Sequence, residues 1–93
     1  MSGKTVLNRP QALLLQRAAA SISGAVRVNG GGAQTARALQ RQGLGRYRDA
    51  KRLFVVSAEG REAVRACHFC GGDPERIDVA RRCEQCGSLQ HTL

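Results

Sequence analysis

Residues 35–64 read TARALQRQGLGRYRDAKRLFVVSAEGREAV, and the hydrophobic pattern changes from helix to strand and back within them. Helical spacing runs from about Ala33 to Gln42. It turns Ala36 and Leu39 inward and sets Gln34, Arg37, Ala38 and Arg41 on the opposite face. Gly43 suits the left-handed position just past a helix, which lets Leu44 fold back onto Leu39. Gly45-Arg46-Tyr47-Arg48 then reads as an extended segment, Asp49-Ala50-Lys51-Arg52 as a basic turn, and Leu53-Phe54-Val55-Val56 as the returning strand. Ser57 can cap a short helix over 58–66, with Glu59 in the first turn, where a carboxylate suits the helix dipole. The stretch predicts a helix, a hairpin with cations at its tip, and a second helix.

The residues upstream extend this module. Asn8 can cap a first helix with Pro10 in its first turn. Leu14, Leu15, Ala18, Ala19 and Ile22 give that helix one apolar face, and Ser21, Ser23 and Gly24 end it. Ala25-Val26-Arg27-Val28 alternates like a strand, and Asn29-Gly30-Gly31-Gly32 is a flexible turn.

With these parts in place, the chain resembles a bacterial winged helix-turn-helix domain over about residues 9–66. The resemblance rests on the helix stop at Gly43-Leu44, a two-stranded wing over Arg46 to Val56, and the helix opening Ser57-Ala58-Glu59-Gly60-Arg61. Only eleven residues separate Ser21 from Ala33, and a strand and a glycine turn take them up. A complete middle helix does not fit, so the expected form is a reduced winged helix. The resemblance implies binding to double-stranded DNA, with the helix in the major groove and the wing on the backbone or minor groove. By position, Gln34, Arg37 and Arg41 would face bases, and Thr35 would sit near phosphates at the helix N-terminus. Arg46, Arg48, Lys51 and Arg52 would grip the backbone from the wing.

Charge supports an anionic partner independently. The 93 residues carry fifteen Lys and Arg against seven Asp and Glu, a formal net charge of +8. Residues 1–66 hold twelve basic and three acidic side chains, and residues 67–93 hold three and four. The basic character thus belongs to the first module alone. Thirteen of the fifteen cations are Arg. That bias has a bland source in GC-rich codons and a functional one in the planar guanidinium fork that suits phosphates and guanine edges. Any surface helix has a solvated polar face, but only three acids oppose these cations, which favours a nucleic acid.

The remaining 27 residues belong to the cysteines. Cys67-His68-Phe69-Cys70-Gly71 and Cys83-Glu84-Gln85-Cys86-Gly87 are two copies of C-x-x-C-G, and they contain all four cysteines of the chain. Two thiolates three apart in a tight knuckle can face one ion, and the glycine closes the knuckle. Four sulfurs fill a tetrahedral Zn²⁺ shell and leave no position for substrate, so the metal is expected to be structural. It would supply folding energy that a chain this short needs. Four thiolates around Zn²⁺ also add negative charge to an already acidic segment, which makes it a poor DNA clamp and suggests packing on the last helix or a protein partner, including a second copy. Twelve residues separate Cys70 from Cys83, with a turn at Gly71-Gly72-Asp73-Pro74 and strand-like alternation at Ile77 and Val79. The segment resembles a zinc ribbon over about residues 66–89. An iron–sulfur cluster or a rubredoxin-like iron site uses the same four thiolates and is the alternative metal reading. His68 is expected to point outward from its knuckle, and His91 lies near the end of the chain; either could replace a cysteine ligand.

The expected fold is α+β, a small winged-helix-like module over residues 1–66 with a zinc-ribbon module over 67–93. The expected function is sequence-selective DNA binding by a small transcriptional regulator or accessory factor. A protein-binding adaptor or inhibitor acting through the ribbon is the alternative. RNA follows behind, because only Tyr47, Phe54 and Phe69 are available for base stacking. No nucleophile elbow, phosphate loop or H-E-x-x-H motif points to an enzyme or a small-molecule substrate. Gly30-Gly31-Gly32 lacks the Lys-Ser/Thr of a nucleotide loop. No apolar run approaches the roughly 20 residues of a membrane span, and the patch Leu13 to Leu15 is bracketed too closely by Gln11, Gln16 and Arg17 to be a signal sequence. The cysteines are then expected in the reducing cytoplasm, where metal ligation is commoner than disulfides.

Overall fold

A computed structural model of the chain describes residues 6–91. Residues 1–5 and 92–93, the outer ends of the two expected modules, lie outside the described residues. Three α-helices and a three-stranded antiparallel sheet follow in the order α1 (Arg9–Ala20), β1 (Ala25–Arg27), α2 (Gly32–Arg41), β2 (Gly45–Arg48), β3 (Leu53–Val56) and α3 (Ala58–Arg65). The fold is α+β, with the cysteines gathered after α3.

Local chemistry sets the boundaries. The Asn8 side chain accepts from the Gln11 N–H at 2.9 Å while the Asn8 N–H donates to Gln11 Oε1, a reciprocal cap with Pro10 in the first turn. At the end of α2, Gly43 takes φ +78°. Its N–H then reaches the Gln40 carbonyl at 3.0 Å, and the Leu44 N–H reaches the Leu39 carbonyl at 3.0 Å, the pair of bonds that closes a Schellman stop. The expected return of Leu44 onto Leu39 is realised, and both side chains are buried.

The strands order as β1-β3-β2, because the β2–β3 hairpin lays its second strand against β1. Tyr47 pairs with Phe54, and Phe54 with Val26, so this row shares the inner face. Phe54 is fully buried in a core with Leu7, Leu14, Leu15, Val28, Leu39, Leu44 and Val56, and Ala12, Ala18 and Ala36 allow the helices to approach. A 3-10 turn, Asp49–Lys51, and a left-handed Arg52 at φ 50° connect the hairpin strands. Between α1 and α2 there is a strand and a turn but no helix.

Two sequence expectations fail here. Ile22 was expected on the apolar face of α1, yet it is fully exposed. The helix ends at Ala20, and Ser21 is extended, so the turn that would carry Ile22 inward is never made. Val79 was expected in a small strand and is also fully exposed. The Asp78 side chain accepts from the Ala80 and Arg82 N–H groups at 2.9 and 3.0 Å, and Arg81 takes φ 67°. This Asx turn replaces a strand, leaving among the described residues only the isolated bridges Ile77–Cys83 and Arg82–Leu89.

Candidate metal centre and basic surface

The two knuckles have the same hydrogen-bond plan. The Gly71 N–H donates to the Cys67 carbonyl at 3.0 Å and the Gly87 N–H to the Cys83 carbonyl at 2.8 Å. The Cys67 N–H donates to the Gly72 carbonyl at 3.1 Å and the Cys83 N–H to the Ser88 carbonyl at 3.0 Å. Each loop closes only if its glycine enters the left-handed region, and Gly71 and Gly87 do so at φ 69° and 75°. At Gly72 a Cβ would displace the end of the exposed Gln85 side chain and press on Cys70 Sγ at 3.2 Å.

This plan turns four sulfurs toward one point. All four Sγ atoms lie within 4.8 Å of one another. Cys67 and Cys86 are 3.6 Å apart, and Cys70 and Cys83 are 3.7 Å apart. A disulfide would need about 2.05 Å. A tetrahedron with metal–sulfur bonds of about 2.3 Å has edges of about 3.8 Å, so the donor set fits a single metal ion held by Cys67, Cys70, Cys83 and Cys86. Cys67 and Cys83 are buried and Cys86 is exposed, which leaves one edge of the cluster facing solvent.

The surroundings favour thiolate on one side of the cluster. Burial raises the Cys67 thiol, but the Cys70 and Phe69 N–H groups and the Gln90 amide, each 3.4 Å from its sulfur, bring it down to about 6. Cys70 is pushed up to about 12, chiefly by its hydrogen bond with Cys67. Cys86 is lowered by the backbone N–H and the hydroxyl of Ser88. The amide donors around Cys67 and the Ser88 donors at Cys86 thus favour thiolate at these two sulfurs, while Cys70 is held toward the thiol.

His68 corrects another expectation. Its ring points inward and the residue is 1% exposed. Nε2 lies 2.9 Å from the Val64 carbonyl, while Nδ1 accepts from the His91 N–H at 3.2 Å. One ring nitrogen faces an acceptor and the other a donor, which defines the neutral Nε2–H tautomer. Burial lowers its pKa most, with smaller contributions from His91 and Arg81 against the raising effect of the Val64 carbonyl. The two histidine rings stack, with centroids 5.7 Å apart, and neither belongs to the sulfur cluster. His68 instead joins the cysteine segment to the helices. Its carbonyl accepts from the Leu7 N–H at 2.8 Å, and its N–H donates to Gln90 Oε1 at 2.7 Å. The Gln16 side chain of α1 also donates to the His91 carbonyl. Little in the sequence marks His68 or Gln90 for these roles, because apart from Val64 the partners that tie them in, Leu7, Cys67, His91 and each other, are 22 or more residues away in the chain.

The eight residues expected at DNA divide between surfaces. Gln34, Thr35, Arg37 and Arg41 share a groove of about 480 Å³ with Asn8, Pro10 and Gln11 at the start of α1. Arg46 and Arg48 alternate with the inward Tyr47, so they lie on the outer face of the sheet. Arg27 pairs with Leu53, which pairs with Arg48, and so joins that face. Its place there follows from strand register, which the sequence alone leaves open. Lys51 and Arg52 sit at the hairpin tip, both exposed. Arg37 does not stand apart in solvent. Its guanidinium contacts both Asp49 carboxylate oxygens at 3.0 Å and lies 5.6 Å from the Tyr47 ring centroid. Gln40 adds a second tie by accepting from the Tyr47 N–H at 2.7 Å.

No described helix is long and apolar enough to cross a membrane. Comparison with protein families, curated proteins and solved structures gives no match to this chain.

Proposed function

We propose that this chain is a small sequence-selective DNA-binding protein, a reduced winged helix whose C-terminal zinc ribbon is structural, acting as a transcriptional regulator or accessory factor in the cytoplasm. The observation that carries the reading is the adjacency of α2, with Arg37 and Arg41, to a hairpin tipped by Lys51 and Arg52. Ten cations face a single carboxylate over residues 1–57, a balance that costs self-repulsion unless an anion is bound. Within the order β1-β3-β2, β2 packs against α2, an adjacency that supports a reading of groove insertion with a flanking wing. The zinc is closed within four sulfurs and serves as a staple rather than a Lewis acid, so no catalytic step is assigned to it.

The test is binding of the metal-loaded protein to random duplex DNA over a range of salt, followed by selection of bound sequences. Lys51→Ala should weaken binding to all sequences and flatten the salt slope by about one. Arg41→Ala should lose affinity selectively, by about 1–3 kcal/mol at the base it reads. Absence of binding even at low salt refutes the proposal. Exposed Phe69, Val79 and Leu89 on the cysteine segment support a second reading, in which that segment docks a protein. A partner that binds the metal-loaded chain and is lost on Phe69→Ser or Leu89→Ser, with DNA binding intact, would establish it.

A further inference from the structure

The one acidic side chain among the first 57 residues is Asp49, and it sits against Arg37, the central cation of α2. One guanidinium nitrogen is 3.0 Å from both carboxylate oxygens. The contact spans from α2 to the hairpin tip, twelve residues along the chain. Tyr47 supports the same guanidinium from its ring, and the Gln40–Tyr47 bond holds β2 against α2 beneath it. An acid at the tip of a hairpin that otherwise carries Arg46, Arg48, Lys51 and Arg52 lowers attraction to any polyanion. Affinity alone gives no reason for it.

We infer that Asp49 is a specificity-determining positioning residue, one that withholds Arg37 from phosphates of unrelated DNA and yields it only to a matching base edge. The inference rests on the DNA-binding reading above. The magnitudes agree with a gate rather than a permanent lock. The Arg37 and Asp49 side chains are 49% and 73% exposed, and so open a pair is worth at most about fivefold in equilibrium. A single phosphate, reached through solvent and screened by salt, replaces Asp49 with little gain. A guanine edge, fixed in the groove and partly shielded from solvent, receives the guanidinium through two parallel hydrogen bonds and displaces Asp49 more readily than a solvated, salt-screened phosphate does. The carboxylate thus taxes every random site while a matched site recovers the loss. Asp49 touches no base in this scheme and acts entirely through Arg37.

The test uses the metal-loaded full chain, a random-sequence duplex and four proteins: wild type, Asp49→Asn, Arg37→Ala and the double variant. Asp49→Asn keeps the side-chain shape and removes the charge. It should steepen the dependence of log affinity on log salt by about 0.9 for one added phosphate contact. Its affinity advantage over wild type should grow about threefold between 200 and 50 mM salt on the same slope. Adding Arg37→Ala to Asp49→Asn should remove that increment. Selection from a random pool should return a less defined motif for Asp49→Asn than for wild type. An unchanged salt slope in Asp49→Asn, with wild type still binding, overturns the inference and leaves the DNA reading standing. An increment that persists in the double variant overturns it too, since Asp49 would then act through bulk charge rather than through Arg37. If wild type binds no DNA at low salt, the reading and the inference fall together.

Discussion

Replacing Gly60 with alanine tests how closely α3 is seated on the end of α2. Gly60 is buried in the first turn of α3. A Cβ added there would lie 2.0 Å from the Leu44 carbonyl oxygen, 2.8 Å from Val56 Cγ2 and 3.0 Å from the Leu44 carbonyl carbon. Carbon–oxygen contacts in folded chains begin near about 3.3 Å, so α3 would have to withdraw by roughly an ångström. Leu44 cannot move aside, because its carbonyl also accepts from the Ser57 N–H at 3.1 Å and its side chain is buried. Ser57 is held in turn, donating to the Gly43 carbonyl and accepting from the Gly60 N–H at 3.0 Å. In an exposed helix the substitution would gain about 1 kcal/mol. Overpacking against backbone costs about 1–3 kcal/mol and sometimes more, and here the cap is disturbed as well. The expected net effect is a loss of about 2 kcal/mol, or a fall in Tm of about 10 °C for a domain of this size. The assay is thermal and denaturant unfolding of the metal-loaded protein followed by circular dichroism. Gly31→Ala is the control. Gly31 has φ −62° and no atom within 4 Å of an added Cβ, so that variant should be neutral or gain up to about 1 kcal/mol. A Gly60→Ala protein as stable as wild type, with the same metal content, would refute the seating of α3 described here.

Other expectations follow from the same contacts. Phe54→Ala, at a fully buried ring, should cost about 3–5 kcal/mol and leave little folded protein at physiological temperature. Asn8→Ala should cost about 1 kcal/mol through loss of the α1 cap, read as a shift of the denaturant midpoint. Elemental analysis should find one zinc per chain, and a strong visible absorption in the purified protein would instead mark iron. Acid should release the metal. Cys67 is lowered to about 6, so its thiolate contribution is present above the ordinary thiol range and is lost as pH falls through about 6. His68, held neutral below its ordinary value, adds stability that is likewise lost on acidification. Competition with a chelator across this range should show metal affinity falling in step with folding.

Much of this architecture is written in short-range signals. The Gly43-Leu44 stop, the hairpin over 45–56 and the Ser57 cap each depend on residues within eleven positions of one another, and each forms as its residues suggest. The sulfur cluster is legible for the same reason, since the two knuckles repeat one local plan. What sequence leaves hidden depends on tertiary position. Ile22 has the right spacing for the core but falls beyond the last turn of α1. Val79 alternates like a strand, yet Asp78 captures the backbone first. Arg37 reads as an outward cation, and only the packing of α2 on β2 brings it to Asp49. His68 reads as a knuckle residue on the surface, although the fold spends both of its ring nitrogens inside. Register likewise decides that Arg46 and Arg48 share the outer sheet face with Arg27 rather than the groove between α2 and the start of α1.

The bonds from Leu7 to His68 and from Gln16 to His91 have a consequence for the order of assembly. The helix nearest the start of the chain takes its final partners from residues near the other end. During synthesis, α1, the sheet and α2 can pair as they emerge, because their contacts are comparatively local. The Leu7 bond at the entry to α1 must wait for the first knuckle, which holds His68, and the Gln16 bond for His91, beyond the second knuckle. A chain halted after α3 would thus lack both of these ties on α1, a species more open to chaperones or proteases. Metal supply would then act as a late checkpoint on whether the whole chain matures, and the yield of protease-resistant protein should track it.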